Sequence, residues 1–293
     1  MSIPILTPAQ FRKKYYNLSY ADPLYTDSFN INRIDNKRLK YPIEVHRKTM
    51  HDFFLLTKGN SDRHKGIDKY TVGSNMFFLM PAYQITGSDY MSSDAEGYYC
   101  RFTDDFLLKL ISKKEFVVEF PFFQFTANPV VKIEDPEILS QLEHTLERIS
   151  ILHKEHQAGW QDCVAAYLVS IFYELKRLTN FATEKSNSAA SRITEEFKQA
   201  LYTHFYEKQK VGDYADLLSV SPNHLNKCIK LSTGKSAQEL IEEMIVLESK
   251  VLLRQSSLSI SDVAYALNRT PTGFGRLFRN STGLSPSEYR AKD

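Results

Sequence analysis

Roughly the last hundred residues contain one local pattern twice, and this repeat constrains the fold more than any other feature of the chain. In the first copy, Val211 to Ser219 has the composition of a short helix, and the Val220-Ser221 step breaks it. A second helix is predicted to begin at Pro222 and to run to about Lys230. Proline at the first helical position, after a serine that can cap, is a helix-start signal. The segment therefore predicts a helix-turn-helix.

The second copy has the same construction. Ser259 to Asp262 is predicted to cap a helix through Leu267, and Asn268 to Pro271 breaks that helix. Thr272 is predicted to begin a further helix that runs to about Arg279. The second copy is therefore also predicted to be a helix-turn-helix.

A long helix is predicted between the two copies. Ser236 to Arg254 is almost free of helix breakers, and a helix of about 20 residues is roughly 30 Å long. One turn of B-DNA is about 34 Å, the separation at which two recognition helices enter successive major grooves. The spacing predicts a chain that reads DNA at two places.

The predicted recognition helices carry side chains suited to this task, because Asn pairs with adenine and Arg with guanine in the major groove. The base-reading candidates are Asn223, His224, Asn226, Lys227, Thr272 and Arg276. Side chains further along or on the flanks are expected to contact phosphates: Ser221, Lys230, Lys235, Arg269, Thr270 and Arg279. The apolar residues of the same helices are expected to face the helical cores: Leu225, Ile229, Phe274, Leu277 and Phe278.

The stretch from Tyr214 to Arg290 resembles the DNA-binding domain of the AraC/XylS family of transcription regulators. The matching residues are Val220–Lys227, Thr233–Ser236, Ile260, Ala264, Phe274–Arg279 and Gly283–Arg290. The resemblance covers about a quarter of the chain. It implies two helix-turn-helix units joined by a long helix, in a sequence-specific DNA-binding regulator. Activation and repression both stay open.

One departure from the family pattern concerns the second unit. The family usually has a Gly-Phe pair after the helix equivalent to Ser261–Leu267, and a turn one residue longer. Here Asn268-Arg269 replace that pair. The departure puts in question the path into the second recognition helix and its base contacts.

The N-terminal half has the composition of strands and turns. From about Arg38 to Phe125 it is rich in Tyr, Phe, Val and Thr, with apolar runs broken by Gly, Asp, Asn and Ser. Strands are predicted at Ile43–Leu56, Tyr70–Val72, Met76–Met80 and Gly97–Phe102, with turns at Lys58–Asp62 and Val72–Asn75. An antiparallel sandwich or small barrel follows, and it resembles the cupin-like sensor barrel of many such regulators.

Helical spacing begins at Pro136, where apolar residues recur every three or four positions, and a second helix is predicted over Trp160–Phe181. The sequence thus predicts an α+β chain in three parts. A β-rich sensor and dimerisation domain covers residues 1–181, with the barrel at about 38–130 and helices at about 136–181. A linker covers residues 182–192, and the double helix-turn-helix domain covers residues 193–293.

The resemblance implies double-stranded DNA as the main partner. Members of the family often bind a small molecule in the barrel and dimerise through the helices after it. An effector, a homodimer and contact with RNA polymerase are therefore expected. Two alternatives stay open: a cupin-type enzyme with a regulatory C-terminal half, and a regulator whose N-terminal domain binds only protein.

No catalytic, metal or cofactor site is predicted. His46 and His51 are metal-ligand candidates, but five residues apart in one strand they point to opposite faces. The acidic pairs Asp104-Asp105 and Glu242-Glu243 do not converge as an acid/base couple. Eight aromatic residues are expected to pack a core rather than line a ligand pocket: Tyr98, Tyr99, Phe102, Phe116, Phe120, Phe122, Phe123 and Phe125.

The composition fits a globular chain of about two domains, with 42% hydrophobic and 25% charged residues among 293. The formal charge of only +2 means that DNA binding must rest on local clusters of cations. The apolar runs are far shorter than the roughly 20 residues of a bilayer span, and the first residues lack a signal-peptide pattern. A cytoplasmic protein without membrane contact is expected. The widely spaced Cys100, Cys163 and Cys228 are expected to be buried.

Overall fold

The chain has an α+β architecture made of two compact units. The computed structural model describes residues 5–15, 26–34, 39–107, 119–124, 127–179, 189–255 and 257–291. One unit lies within Ile5–Phe181 and the other within the chain from Ala182 onward. The first unit contains two antiparallel sheets and packed helices, and the second is helical, which confirms the predicted α+β class. None of the helices in the described ranges is long and apolar enough to cross a membrane.

The N-terminal unit is built on two sheets. Its strands are β1 (Phe29–Arg33), β2 (Ile43–His46), β3 (His51–Lys58), β4 (Ser61–Lys65), β5 (Asp68–Val72), β6 (Met76–Met80), β7 (Thr86–Met91), β8 (Glu96–Phe102) and β9 (Val130–Lys132). Its helices are α1 (Pro8–Tyr15), α2 (Asp104–Leu107), α3 (Pro136–Glu155) and α4 (Trp160–Leu178). The five-stranded sheet has the order β1-β8-β3-β6-β9, and the four-stranded sheet has the order β2-β7-β4-β5.

The five-stranded sheet is covered on both faces, which explains its apolar strand sequences. Successive side chains of a strand point to opposite faces. Phe53 and Leu55 of β3 therefore pack with α3 and α4, whereas Phe54 and Leu56 pack on the other face. All residues of β3 from His51 to Leu56 are buried as a result. Each fully buried Phe or Leu side chain contributes about 1.5–3 kcal/mol to folding.

The strand predictions are confirmed in part. Met76–Met80 is β6, and the predicted strands at Tyr70–Val72 and Gly97–Phe102 lie within β5 and β8. The single strand predicted over Ile43–Leu56 is wrong, because β2 and β3 are separate strands that belong to different sheets. His46 and His51 therefore do not share a strand.

Four strands carry no clear sequence signal. The predicted turn at Lys58–Asp62 is too long, because Ser61 already begins β4. β4 escapes detection because its residues are polar, yet both Ser61 and Lys65 are buried. β7 and β9 are likewise missed, and β1 precedes the predicted barrel start near Arg38.

The aromatic residues mostly form core. Tyr98, Phe102, Phe120, Phe122 and Phe123 belong to the hydrophobic cluster shared with α3 and α4, which confirms the core prediction for them. Tyr99 instead lines a cavity on the other face of the sheet. Phe116 and Phe125 lie outside the described residues. Cys100 and Cys228 are buried as predicted, but the prediction is wrong for the exposed Cys163.

The helices after the sheets follow the predicted periodicity. α3 extends over Pro136–Glu155, and its N-cap Asp135 accepts a hydrogen bond from the backbone N–H of Glu137. α4 ends at Leu178, three residues before the predicted Phe181, which lies outside the described residues. Residues 182–188 of the predicted linker 182–192 also lie outside the described residues. Its last part is helical, because α5 begins at Ala189.

The C-terminal unit consists of packed helices. These are α5 (Ala189–His204), α6 (Val211–Leu217), α7 (Pro222–Thr233), α8 (Ala237–Gln255), α9 (Ile260–Ala266), α10 (Pro271–Thr282) and α11 (Pro286–Ala291). α8 is the predicted long connecting helix. Four of the five residues expected to face the core are fully buried: Leu225, Ile229, Phe274 and Phe278. Leu277 is only half-buried and lines a surface cleft, so its prediction is wrong.

Candidate nucleic-acid interface

The two helix-turn-helix units repeat each other at a spacing of 49 residues, which relates Pro222 to Pro271 at the starts of α7 and α10. Both helices end at a left-handed glycine, Gly234 in the first unit and Gly283 in the second. Left-handed backbone without a Cβ penalty is what a helix C-terminus of this kind requires. Local signals therefore set both ends of each recognition helix.

The starts of the recognition helices are capped by hydroxyl groups. Ser221 Oγ accepts a hydrogen bond from the N–H of His224 at 3.2 Å, and Thr270 Oγ1 accepts one from the N–H of Gly273 at 3.2 Å. Both capping residues are exposed. A hydroxyl that accepts in this way still has its own proton to donate, so the cap is compatible with the phosphate contact predicted for Ser221 and Thr270.

The exposed faces of the recognition helices are basic. Lys227 and Lys230 of α7 are exposed, and so are their counterparts Arg276 and Arg279 of α10. Neither helix contains an acidic residue. Asn223, His224 and Thr272 are exposed near the helix starts. Each recognition helix therefore has one solvent-exposed face that carries its predicted base-reading and phosphate-contacting residues. Asn226 is the exception.

Asn226 has a structural task at the joint between α7 and α8. It is half-buried, and its Oδ1 accepts a hydrogen bond from the backbone N–H of Ala237 at 2.9 Å. That N–H is one of the four at a helix start that lack an intrahelical partner. The side chain predicted to read a base thus holds the recognition helix against the start of the connecting helix.

The corresponding joint in the second unit is built without this bond. Gly275 stands at the position of Asn226 and has no side chain, and Pro286 stands at the position of Ala237 and has no N–H. Neither group is left unsatisfied, because acceptor and donor are absent together. The two joints are otherwise alike, since Ser236 and Ser285 donate their backbone N–H groups to Glu239 and Glu288. The pKa of Glu239 is lowered by the backbone N–H of Ser236 and then by its hydroxyl, and that of Glu288 by the hydroxyl of Ser285 and then by its backbone N–H.

The remaining phosphate candidates differ in their surroundings. Lys235 is partly exposed and forms an ion pair with Glu243 on α8. Arg269 is half-buried, and its Nε has no hydrogen-bond partner within the described residues. Arg269 lines a cleft of about 460 Å³ together with Thr270 and Arg276. The cleft places Arg269 beside the exposed Arg276, and Glu242 is the one acidic residue among the described residues that line it.

The turn of the second unit keeps the geometry of the first despite the departure from the family pattern. Ser219 has φ +54° and Asn268, its counterpart, has φ +53°. Asn tolerates this left-handed conformation better than most residues. The path into α10 is therefore the same as the path into α7.

Asn268 also connects the second helix-turn-helix unit to the segment that precedes the first one. Its Nδ2 donates to the carbonyl oxygen of Tyr206 at 2.9 Å, in the segment between α5 and α6. The Tyr206 hydroxyl in turn donates to Glu248 Oε2 of α8 at 2.8 Å, and Glu248 is 2% exposed. Sequence reasoning missed this connection. A comparison of the two repeats points to position 268, because there the first unit has Ser219.

A family model described as a helix-turn-helix domain matches residues 214–292. The C-terminal unit is an AraC/XylS-type helix-turn-helix domain. The match begins within α6 and extends through α11, so it includes both helix-turn-helix units and the connecting helix α8.

Relatives of the AraC/XylS-type domain are regulators. The chain is 29% identical over 108 residues to the Msm operon regulatory protein of Streptococcus mutans, covering 36% of this chain and 39% of that protein. It is 30% identical over 144 residues to the transcriptional activator RhaS of Escherichia coli, covering 48% of this chain and 51% of that protein. The chain thus matches about half or less of the length of these relatives.

A solved structure of ToxT from Vibrio cholerae matches 90% of this chain and 98% of that one, at 15% identity and a TM-score of 0.44. So low a score describes only a loose likeness of chain path.

Proposed function

We propose that the protein is a sequence-specific DNA-binding transcription regulator whose helices α7 and α10 enter successive major grooves. The observation that carries this proposal is the pair of matched, exposed basic positions, Lys227 with Arg276 and Lys230 with Arg279, on two recognition helices without acidic residues. The 19 residues of α8 correspond to roughly 28 Å. This length suits two grooves about 34 Å apart.

The exposed side chains divide into two roles under this proposal. Asn223, His224, Lys227, Thr272 and Arg276 contact base edges. Ser221, Lys230, Lys235, Arg269, Thr270 and Arg279 contact phosphates. Asn226 acts on DNA indirectly, because its cap on α8 sets the angle of α7. One relative is named a transcriptional activator, which supports activation as the direction of regulation. A location in the cytoplasm and RNA polymerase as a further partner complete the proposal.

Selection of binding sites from random duplex DNA with the full chain tests this function. We expect a motif with two short boxes about one helical turn apart, and affinity that falls steeply with salt. Arg276→Ala is expected to cost about 1–3 kcal/mol and to relax specificity at one base pair. Lys132→Ala is the matched control, since Lys132 is an exposed cation on β9 of the other unit. Failure to enrich any sequence would refute the proposal.

We assign the N-terminal unit to effector binding and dimerisation. Two exposed aromatic side chains of α4 support a helix-mediated dimer, with Tyr167 38% and Tyr173 47% exposed. Light scattering is expected to give a dimer for the wild type and a monomer for the double variant Tyr167→Ser, Tyr173→Ser. A wild type that stays monomeric at micromolar concentration would contradict the dimer and leave the DNA-binding proposal intact.

A further inference from the structure

Charged side chains are buried inside the N-terminal unit, among the mostly apolar side chains of its two sheets. Asp52 and Arg101 occupy opposed positions on β3 and β8 and are 4% and 3% exposed. Lys48, just before β3, has a side chain that is 12% exposed. Arg63 of β4 is half-buried. Burying charge is unfavourable unless each group finds a partner, so such a cluster requires an explanation.

Lys48 and Arg63 each have contacts that hold the side chain in place. Lys48 forms an ion pair with Asp52, and its Nζ donates to the hydroxyl of Tyr99 at 3.3 Å. The guanidinium of Arg63 stacks on the ring of Phe54, with its Cζ 4.4 Å from the ring centroid. Its Nε donates to Ser61 Oγ at 2.9 Å. The Arg63 head group is thus fixed by an apolar ring and a neutral hydroxyl.

The charges of the cluster do not balance. Of the described residues that line the adjoining cavity, Asp52 alone carries a carboxylate, while Arg33, Lys48 and Arg63 are cations, of which Arg33 is paired with Glu147. His46 also lines the cavity but adds no charge, because burial and then the charge of Lys48 lower its pKa to about 3. Burial lowers the pKa of Lys48 despite Asp52, and the charges of Arg63 and Arg101 act in the same direction. The cavity wall therefore carries an excess of positive charge.

The cavity beside this cluster is small and has apolar walls. Its volume is about 50 Å³, which exceeds what one water needs and suits a group of a few heavy atoms. The apolar part of its lining consists of Phe11, Ile34, Leu39, Ile43, Phe54, Phe78 and Met91. Few polar groups in a mostly apolar wall is the usual construction of a small-molecule site.

We propose that this cavity is a binding site for a small organic anion. Its oxyanion group pairs with Arg63 and Lys48, and its short apolar part rests against Phe54 and Phe78. The inference rests on the proposed function only in taking this ligand as the effector of the regulator. Binding of the anion can be measured without DNA.

Calorimetric titration of the full chain tests the proposal, with acetate, butyrate, hexanoate and inorganic phosphate as probes and butyramide as the neutral control. We expect a carboxylate to bind and butyramide to bind about tenfold or more weakly, as for loss of a charge-assisted hydrogen bond. Comparison of phosphate with the carboxylates identifies which oxyanion fits. Equal binding of butyrate and butyramide, or no binding of any probe at 10 mM, would overturn the proposal.

Variants identify the responsible cations. Arg63→Gln is expected to weaken anion binding about tenfold or more, while Arg63→Lys retains most of it. Lys69→Gln is the matched control, because Lys69 is an exposed cation on the neighbouring strand β5 with a side chain 73% exposed. Thermal unfolding without ligand shows whether each variant is folded. Unchanged anion affinity in a folded Arg63→Gln variant would refute the site.

The two proposals fail separately. DNA binding by the wild type in the absence of any anion tests the regulator. Loss of anion binding with DNA binding intact would overturn only the inference about the cavity. Anion binding in a protein that selects no DNA sequence would leave the cavity site standing and remove its role as an effector site.

Discussion

Replacement of Asn268 by Gly is expected to loosen the fixed spacing between the two DNA-reading helices. The side chain of Asn268 donates to the carbonyl oxygen of Tyr206, which links the turn of the second unit to the first. Glycine adopts the φ of +53° at this position without strain. The substitution therefore removes the connection and keeps the turn.

The magnitude follows from the surroundings of the bond. Asn268 is exposed, and a neutral hydrogen bond contributes about 0.5–1.5 kcal/mol, so we expect the lower end of this range. Glycine also increases the entropy of the unfolded chain, at a cost of about 0.4–1 kcal/mol. The free energy of unfolding should thus fall by only about 1–1.5 kcal/mol, and the protein should remain folded.

The assay is binding to duplexes whose two boxes are moved apart by one base pair, which turns one box by about 35° relative to the other. The wild type is expected to lose affinity sharply on this insertion, and Asn268→Gly to lose less of it. Ser219→Gly is the matched control, since Ser219 has φ +54° at the corresponding turn and makes no hydrogen bond to the second unit in the described residues. Identical spacing profiles for wild type and Asn268→Gly would refute the reasoning.

Three further perturbations test other parts of the structure. Asn226→Ala removes the cap on Ala237 and should lower the free energy of unfolding by about 1 kcal/mol in urea titration; altered base preference with unchanged stability would instead make Asn226 a base reader. Lys65→Met removes a buried ammonium that donates to the carbonyls of Gln124 and Ala127 at 2.8 and 2.7 Å. It should cost about 1.5–3 kcal/mol, and an unchanged urea midpoint would contradict this. Because the pKa of His46 is about 3 in the folded state and near 6.5 in the unfolded chain, only the unfolded state binds a proton between these values. Stability is therefore complete above pH 6.5 and falls by about 2 kcal/mol by pH 5; His46→Gln should remove this part of the pH dependence, and an equal acid loss in both proteins would count against it.

The sequence predicts the C-terminal unit well because its signals are local. The cap at Ser221, the proline after it and the glycine at 234 act within one helix each, so their meaning does not depend on distant residues. The second unit repeats these signals at Thr270 and Gly283. Helix starts and the basic faces could therefore be predicted without knowledge of the packing. The recognition helices end at Thr233 and Thr282, three residues beyond the predicted ends near Lys230 and Arg279.

The N-terminal unit is predicted less completely because its pattern depends on tertiary contacts. The continuous apolar run in β3 arises from burial on both faces and hides the boundary with β2. The polar strand β4 has the residues of a turn, and a buried Lys65 is acceptable there because it donates to the distant carbonyls of Gln124 and Ala127. Partners far away in sequence cannot be read from local composition.

The roles of the two asparagines show the same limit at the candidate site. Asparagine is a residue type that often contacts DNA bases or occupies turns. The side chains of Asn226 and Asn268 are instead hydrogen-bonded to backbone groups elsewhere in the C-terminal unit. Their partners, Ala237 and Tyr206, are fixed only by the packing of α5, α7 and α8. Residue type therefore predicted the DNA-facing surface, but not which of its residues contact DNA and which hold the helices together.

The joints after the two recognition helices restrict how the repeats can change in evolution. In the first joint an Asn226 oxygen meets an Ala237 N–H, whereas in the second Gly275 and Pro286 supply neither group. Proline at position 237 alone would leave the Asn226 Oδ1 without its backbone donor. Asparagine at position 275 alone would find no N–H to accept from, because Pro286 has none. Conversion of one joint into the other takes two exchanges, and either exchange alone gives an intermediate in which one group lacks its partner. A single substitution that suits one repeat is therefore unfavourable at the equivalent position of the other, although the two repeats have the same fold.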